Sequence, residues 1–165
     1  MSGLVERFEL RVPPVAVAVL LLLAMRVAAR WGPGLPGPAD AADALGTALT
    51  IGGVLFAAAG AWQFHRHATT VDPMHPDRAT SLVDRGVFAL SRNPMYVGFV
   101  IALLGAAMMF DALLALAGPA LLAAWLHRFQ VLPEERILRD RFGARFEAYC
   151  RRVPRWLGRP KGSKA

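Results

Sequence analysis

Four apolar stretches, each about as long as a helix that crosses a hydrocarbon layer, constrain this chain more than any other feature. A spanning helix takes ~17–25 mostly apolar residues, because its backbone polar groups must pair within the segment itself. Pro13 to about Ala29 (PPVAVAVLLLLAMRVAA) lies near the lower limit, with Arg26 close enough to its end to reach the headgroups. About Ala44 to Phe64 (ALGTALTIGGVLFAAAGAWQF) forms the second run. Its Gly46, Gly52, Gly53 and Gly60 predict close helix approach, and Trp62 and Gln63 mark an interfacial end. Pro94 to about Phe110 is the third. Past Asp111, ALLALAGPALLAAWLHRFQVL carries a fourth to about Leu132, so the last two read as a tight hairpin turning near Asp111. Gly118–Pro119 predicts a kink in that fourth helix.

The fold class that follows is all-α: an integral-membrane helical bundle of about four spans with a C-terminal amphipathic helix. A hydrophobic fraction of 55% and a mean hydropathy of +0.38 agree with it. We read residues 1–165 as one membrane domain, with two spans in 13–64, a functional core in 65–156 and a basic tail in 157–165. A Gly- and Pro-rich connection, WGPGLPGPAD, separates the first two spans, and Asp43 is placed to cap the second. The first run shows no small-residue cleavage site and reads as a retained helix. The single cysteine, Cys150, excludes an intramolecular disulfide.

A net charge of +7 could suggest nucleic acid, but the basic residues lie between and after the apolar runs. Arg7 and Arg11 precede the first span, four arginines fall in 65–92, and ten Lys/Arg fall in 134–165. The positive-inside rule then puts both termini in the cytoplasm, with anionic lipid rather than nucleic acid as partner. The composition reads as bacterial, which makes the location the inner membrane.

Two helix starts share that cytosolic face. In SRNP (Ser91 to Pro94), Asn93 can cap and Pro94 suits the first helical position. Pro133 opens the second, followed by Glu134 and Glu135. Two helix N-termini would favour an anionic group and the carboxylates a cationic or polyhydroxylated one, so a ligand with both fits best. First-turn acids also have a plainer use in capping, with Glu135 and Arg139 as an i,i+4 pair. Leu138, Phe142, Phe146 and Tyr149 recur at helical spacing as an apolar stripe, and the arginines around them suit headgroups. In the loop before SRNP, Pro73 and Pro76 prevent a continuous helix, and Leu82, Val83, Val87 and Phe88 suggest a segment lying on the membrane. His65 and His67 alternate without nearby Cys or paired carboxylates, so no metal site is assigned. No Walker A or GxGxxG motif follows a strand.

The segments TTVDP, LVDRGVFALSRNPMYVG and PEERILRDRFGARFEAYCRRVPRW, in this order, resemble the isoprenylcysteine carboxyl methyltransferase family and its phospholipid methyltransferase relatives. The likeness runs from about Thr69 to Trp156. It implies an integral-membrane methyltransferase using S-adenosyl-L-methionine. The family motif RHPxYxG stands here as Arg92 to Gly98, so similarity assigns Asn93, Pro94 and Tyr96 to the cofactor, and the paired glutamates likewise assign Glu134 and Glu135. Two positions depart from the pattern. Asn93 replaces the motif histidine, and Gln130 stands where the carboxyl-methylating branch carries an arginine, with Arg128 on another helical face. The methyl acceptor is then a lipophilic small molecule or lipid whose carboxylate, amine, thiol or phenol is open. His127, Arg128, Gln130 and Tyr149 are its candidate contacts, and no general base is assigned. The reading from another class is a non-catalytic scaffold or small transporter on the same framework.

Overall fold

The computed structural model describes residues 9–66, 75–78 and 80–158. His67, the TTVDP segment and the tail beyond residue 158 lie outside them. The described residues are all-α, with no strand among them. Among the described residues five α-helices run in order: α1 Pro14–Ala28, α2 Ala39–Arg66, α3 Pro94–Met109, α4 Ala117–Leu126 and α5 Leu132–Arg152. Short 3-10 turns occupy Pro76–Arg78, Gly86–Ala89 and Leu113–Leu116, and a π turn at His127–Val131 joins α4 to α5 without a loop.

Antiparallel α2 and α3 form the closest pair, and glycine is the reason. A Cβ on Gly53 would stand 2.6 Å from the Gly98 carbonyl oxygen, and one on Gly105 would stand 2.4 Å from the Gly46 carbonyl oxygen. Gly60 meets Met95 in the same row. Gly46, Gly53 and Gly60 recur every seven residues, which keeps one seam facing α3 along the whole helix. Gly52 belongs to the outer face, with open space around it, so it takes no part in the packing of α2 within the chain.

Beside this pair, α1 runs antiparallel to α4, with Met25 seated on Gly118. Leu103, Ala107, Leu122 and Leu126 fill the core between α3 and α4. The outer faces are apolar too: Leu20 and Leu23 on α1, Leu55 on α2 and Leu121 on α4 are each more than half exposed. In water such helices would carry far more exposed apolar surface than a soluble chain tolerates, so this is a membrane protein. Among the described residues, only α2 is by itself long and apolar enough to cross a bilayer, whereas Pro14–Ala28 and Pro94–Met109 are shorter apolar helices.

The hairpin at Asp111 forms as expected. Asp111 takes φ +45°, and its carboxylate accepts from the Leu35 N–H at 2.9 Å, while the Leu113 N–H donates to the Pro33 carbonyl at 3.0 Å. Those bonds close the end of the bundle that joins α1 to α2 and α3 to α4. Two expectations change nearby. Helix α2 begins at Ala39, so Asp43 lies within the helix instead of capping it. Pro119 sits in the first turn of α4, where its missing N–H has no intrahelical acceptor to lose, so no kink arises there. The irregularities fall instead at the π turn before Pro133 and at Gly143 (φ 49°, ψ −126°), which breaks α5 in two.

Candidate functional site

Helix α3 starts at Pro94, next to the first core cluster, and α5 brings its opening residues against it. Asn93 occupies the N-cap position but does not cap, because its amide donates to the Arg155 carbonyl at 2.9 Å. The Arg92 N–H donates to the Pro154 carbonyl at 3.0 Å. These bonds staple the SRN turn to the chain just past α5, so segments about sixty residues apart form one wall.

Between them opens a cavity of about 110 Å³, set in a cleft that is open to solvent. One side is apolar: Phe64 from the end of α2, Leu82, Phe88, Leu138 and Phe146. Phe64 and Phe88 meet edge to face, with ring centroids 4.8 Å apart. Leu82, Val83 and Phe88 are buried there, so this segment packs inward on α5 and does not lie on the membrane as its sequence suggested. Gly86 permits the fit: it has φ +59°, and a Cβ would collide with the Gln63 side-chain amide. Tyr149, on the predicted stripe, donates its hydroxyl to the Phe88 carbonyl at 2.8 Å, and burial raises its pKa.

The other side is polar. The Tyr96 hydroxyl donates to Glu134 Oε1, joining the two motifs inside the cavity. Burial pushes the Glu134 carboxyl up to about 8, against the Tyr96 hydrogen bond and with help from the Glu135 charge. Such a group exchanges a proton near neutrality, and a cation beside it would favour the ionised form. Glu135 is differently placed. Arg155 grips it through two bonds, Nε to Oε1 at 2.8 Å and Nη2 to Oε2 at 2.7 Å, and Arg92 adds a contact at 3.2 Å. A buried carboxylate so paired holds the wall together.

The sequence suggested two helix N-termini at this site, and the structure has one. Helix α5 continues from α4 through residues in helical conformation, so Glu134 and Glu135 do not cap a free first turn. Arg139 pairs with Glu147 rather than Glu135. Asn93, Pro94, Tyr96, Glu134, Glu135 and Tyr149 all line the cavity. His127, Arg128 and Gln130 are absent from its lining and belong to the π turn. There Arg128 pairs with Glu9 at 2.5 Å, and the Gln130 amide donates to the Val12 carbonyl at 2.9 Å. Sequence reasoning passed over Arg155, Ser81 and the aromatic pair. Pro154 is the one signal for Arg155, because it separates that arginine from the basic face of the helix.

A family model described as phospholipid methyltransferase matches residues 41–145. The chain belongs to the phospholipid methyltransferase family. No curated protein and no solved structure matches it. The matched span holds the glycine seam, Tyr96, the glutamate pair and most of the cavity wall, while Glu9 to Val12 and Arg155 fall outside it. Membership implies a membrane methyltransferase of lipids, in the same family group as the isoprenylcysteine carboxyl methyltransferases that the motifs resemble.

Proposed function

We propose that this phospholipid methyltransferase family member moves a methyl group from S-adenosyl-L-methionine to a lipid or lipophilic small molecule at the cytosolic face of a bacterial inner membrane. The Tyr96–Glu134 contact inside the cavity carries the reading, because it brings both motifs to one cavity. The lining suits the cofactor's mixed chemistry. Ser81 Oγ and Arg92 Nε are buried there without a hydrogen-bond partner, which leaves polar positions for a ligand in an otherwise apolar wall.

When bound, S-adenosylmethionine supplies an electrophilic methyl on a sulfonium. Phe64, Phe88 and Phe146 offer faces for a planar base. Glu134 suits an ammonium or ribose hydroxyls, with Asn93, Pro94 and Tyr96 beside it and Glu135 holding the arginines in place. The protein's chief contribution is alignment and exclusion of water, and no side chain is assigned as general base. Carboxylate, amine, thiol and phenol acceptors are all open: Arg92 and Arg155 share the one Glu135 carboxylate, Arg128 is tied to Glu9, and Gln130 is tied to Val12.

We place four spans in one membrane domain: α1, α2, α3, and the continuous stretch from Leu113 to Val131. Both termini are then cytosolic, with 65–156 as the methyltransferase core. Calorimetry with S-adenosylhomocysteine tests the reading. The purified protein should bind it, and Glu134→Ala should weaken binding at least tenfold, about 1.4 kcal/mol. No binding to the unaltered protein would favour a silent scaffold or transporter, and unchanged affinity in the variant would remove Glu134 from the site. Tritiated-methyl transfer into a membrane extract would then identify the acceptor lipid.

A further inference from the structure

Pro133 lies inside a helical path that has no loop on either side of it. Proline has no N–H, so the carbonyl four residues earlier, that of Phe129, loses its intrahelical donor. The chain answers with the π turn and with a segment from far away in sequence. The Leu10 N–H donates to the Phe129 carbonyl at 3.1 Å. Leu10 does this at φ +56°, a left-handed backbone rare for a leucine, which persists only where its surroundings fix it. Gln130 is fully buried, and its amide donates to the Val12 carbonyl at 2.9 Å. Glu9 pairs with Arg128 and with Arg136, one on each side of Pro133. Four contacts from residues 9 to 12 therefore bracket Glu134.

A π turn holds one residue more than an α turn, and one residue is about 100° of helix rotation. The turn thus sets the phase of α5 relative to α4, and with it which of two adjacent glutamates meets Tyr96. We infer that the Glu9–Val12 strap, latched to the π turn by Gln130, is a positioning element that keeps Glu134 rather than Glu135 on Tyr96. Gln130 accordingly acts through the backbone and not on the acceptor. The effect on ligand affinity rests on the proposed function, whereas the latch itself does not.

The test uses the full chain in lipid nanodiscs, with Gln130→Leu, Glu9→Arg and a charge-swapped triple variant, Glu9→Arg with Arg128→Glu and Arg136→Glu. Hydrogen exchange is followed over residues 127–140, with 46–60 as control, and S-adenosylhomocysteine binding is measured by calorimetry. Leucine fits a buried glutamine site and removes the buried Gln130 Oε1, which has no partner. A merely space-filling role therefore predicts no loss. The strap predicts at least tenfold faster exchange confined to 127–140 and at least tenfold weaker binding in the first two variants, with both recovered in the triple variant. Wild-type exchange and affinity in Gln130→Leu and Glu9→Arg, or faster exchange spread over both regions, overturns it. So does a loss of affinity without localised exchange. Localised exchange in a chain whose unaltered form binds no S-adenosylhomocysteine supports the latch and removes the cofactor reading instead.

Discussion

Gly52 and Gly53 are neighbours on α2 with opposite surroundings, so replacing each by alanine isolates the worth of the helix seam. Both substitutions gain the same helix propensity, up to ~1 kcal/mol, and this cancels when the variants are compared. At position 52 the new methyl meets open space. At position 53 it meets the Ala102 nitrogen and the Gly98 oxygen, each at 2.6 Å. Both are backbone atoms, so no rotamer change relieves the clash and the helices must part by most of an ångström. Overpacking of this kind costs about 1–3 kcal/mol, and a gap of that size forfeits a quarter to a half of each dispersion contact along the row. Gly53→Ala is therefore expected to be about 1–3 kcal/mol less stable than Gly52→Ala in reversible unfolding from mixed micelles. Because α3 carries Tyr96 two residues from Gly98, Gly53→Ala should also weaken S-adenosylhomocysteine binding. Equal stabilities for the two variants would refute the seam.

Glu134 gives a pH-dependent prediction. With its carboxyl raised from 4.5 to about 8, the folded chain holds a proton that the unfolded chain has released between those values. Its contribution to stability is full below about pH 4.5 and is lost as pH rises through about 8, at a slope of at most about 1.4 kcal/mol per pH unit. Glu134→Gln cannot titrate and should flatten this part of the stability profile from pH 5 to 8; parallel profiles for the two proteins would contradict the shift. Arg155→Ala removes two charge-assisted bonds from buried Glu135, leaves it Arg92 alone, and should cost about 1.5–3 kcal/mol in the same unfolding assay; unchanged stability would contradict the grip.

The helices were legible because their information is local. Apolar run length gives α1 and α3 to within one residue and α2 to within five, and the fourth run divides into a 3-10 turn, α4 and a π turn; the positive φ of Asp111 falls where the apolar pattern breaks, and three of the four singled-out glycines pack as expected. The cavity was legible only as a meeting of motifs. Periodicity says which face of α5 is apolar, but the segment around Leu82 and Phe88 is as compatible with a membrane surface as with a protein wall. The bidentate grip of Arg155 on Glu135 and the hold of Glu9 on Arg128 and Arg136 join residues 20 to 127 positions apart. One arginine among many carries no mark of its partner. The two starts expected at Pro94 and Pro133 look alike in sequence, a proline followed by a good helix, and they differ in what precedes them. Non-helical Asn93 begins a helix, whereas helical Val131 continues one.

That continuity has a mechanical side. A membrane too thick or too thin for a helix is commonly met by tilting it, and a loop at the helix end normally absorbs the change. Between Ala117 and Gly143 this chain has no loop, so α4 and the first half of α5 respond as a single lever. The fulcrum lies near the Asp111 hairpin, where Leu35 and Pro33 hold the turn, and Glu134 rides on the far arm. A tilt of α4 would therefore carry Glu134 with it, and Gly143 is the first residue beyond Glu134 where the backbone leaves the helical conformation.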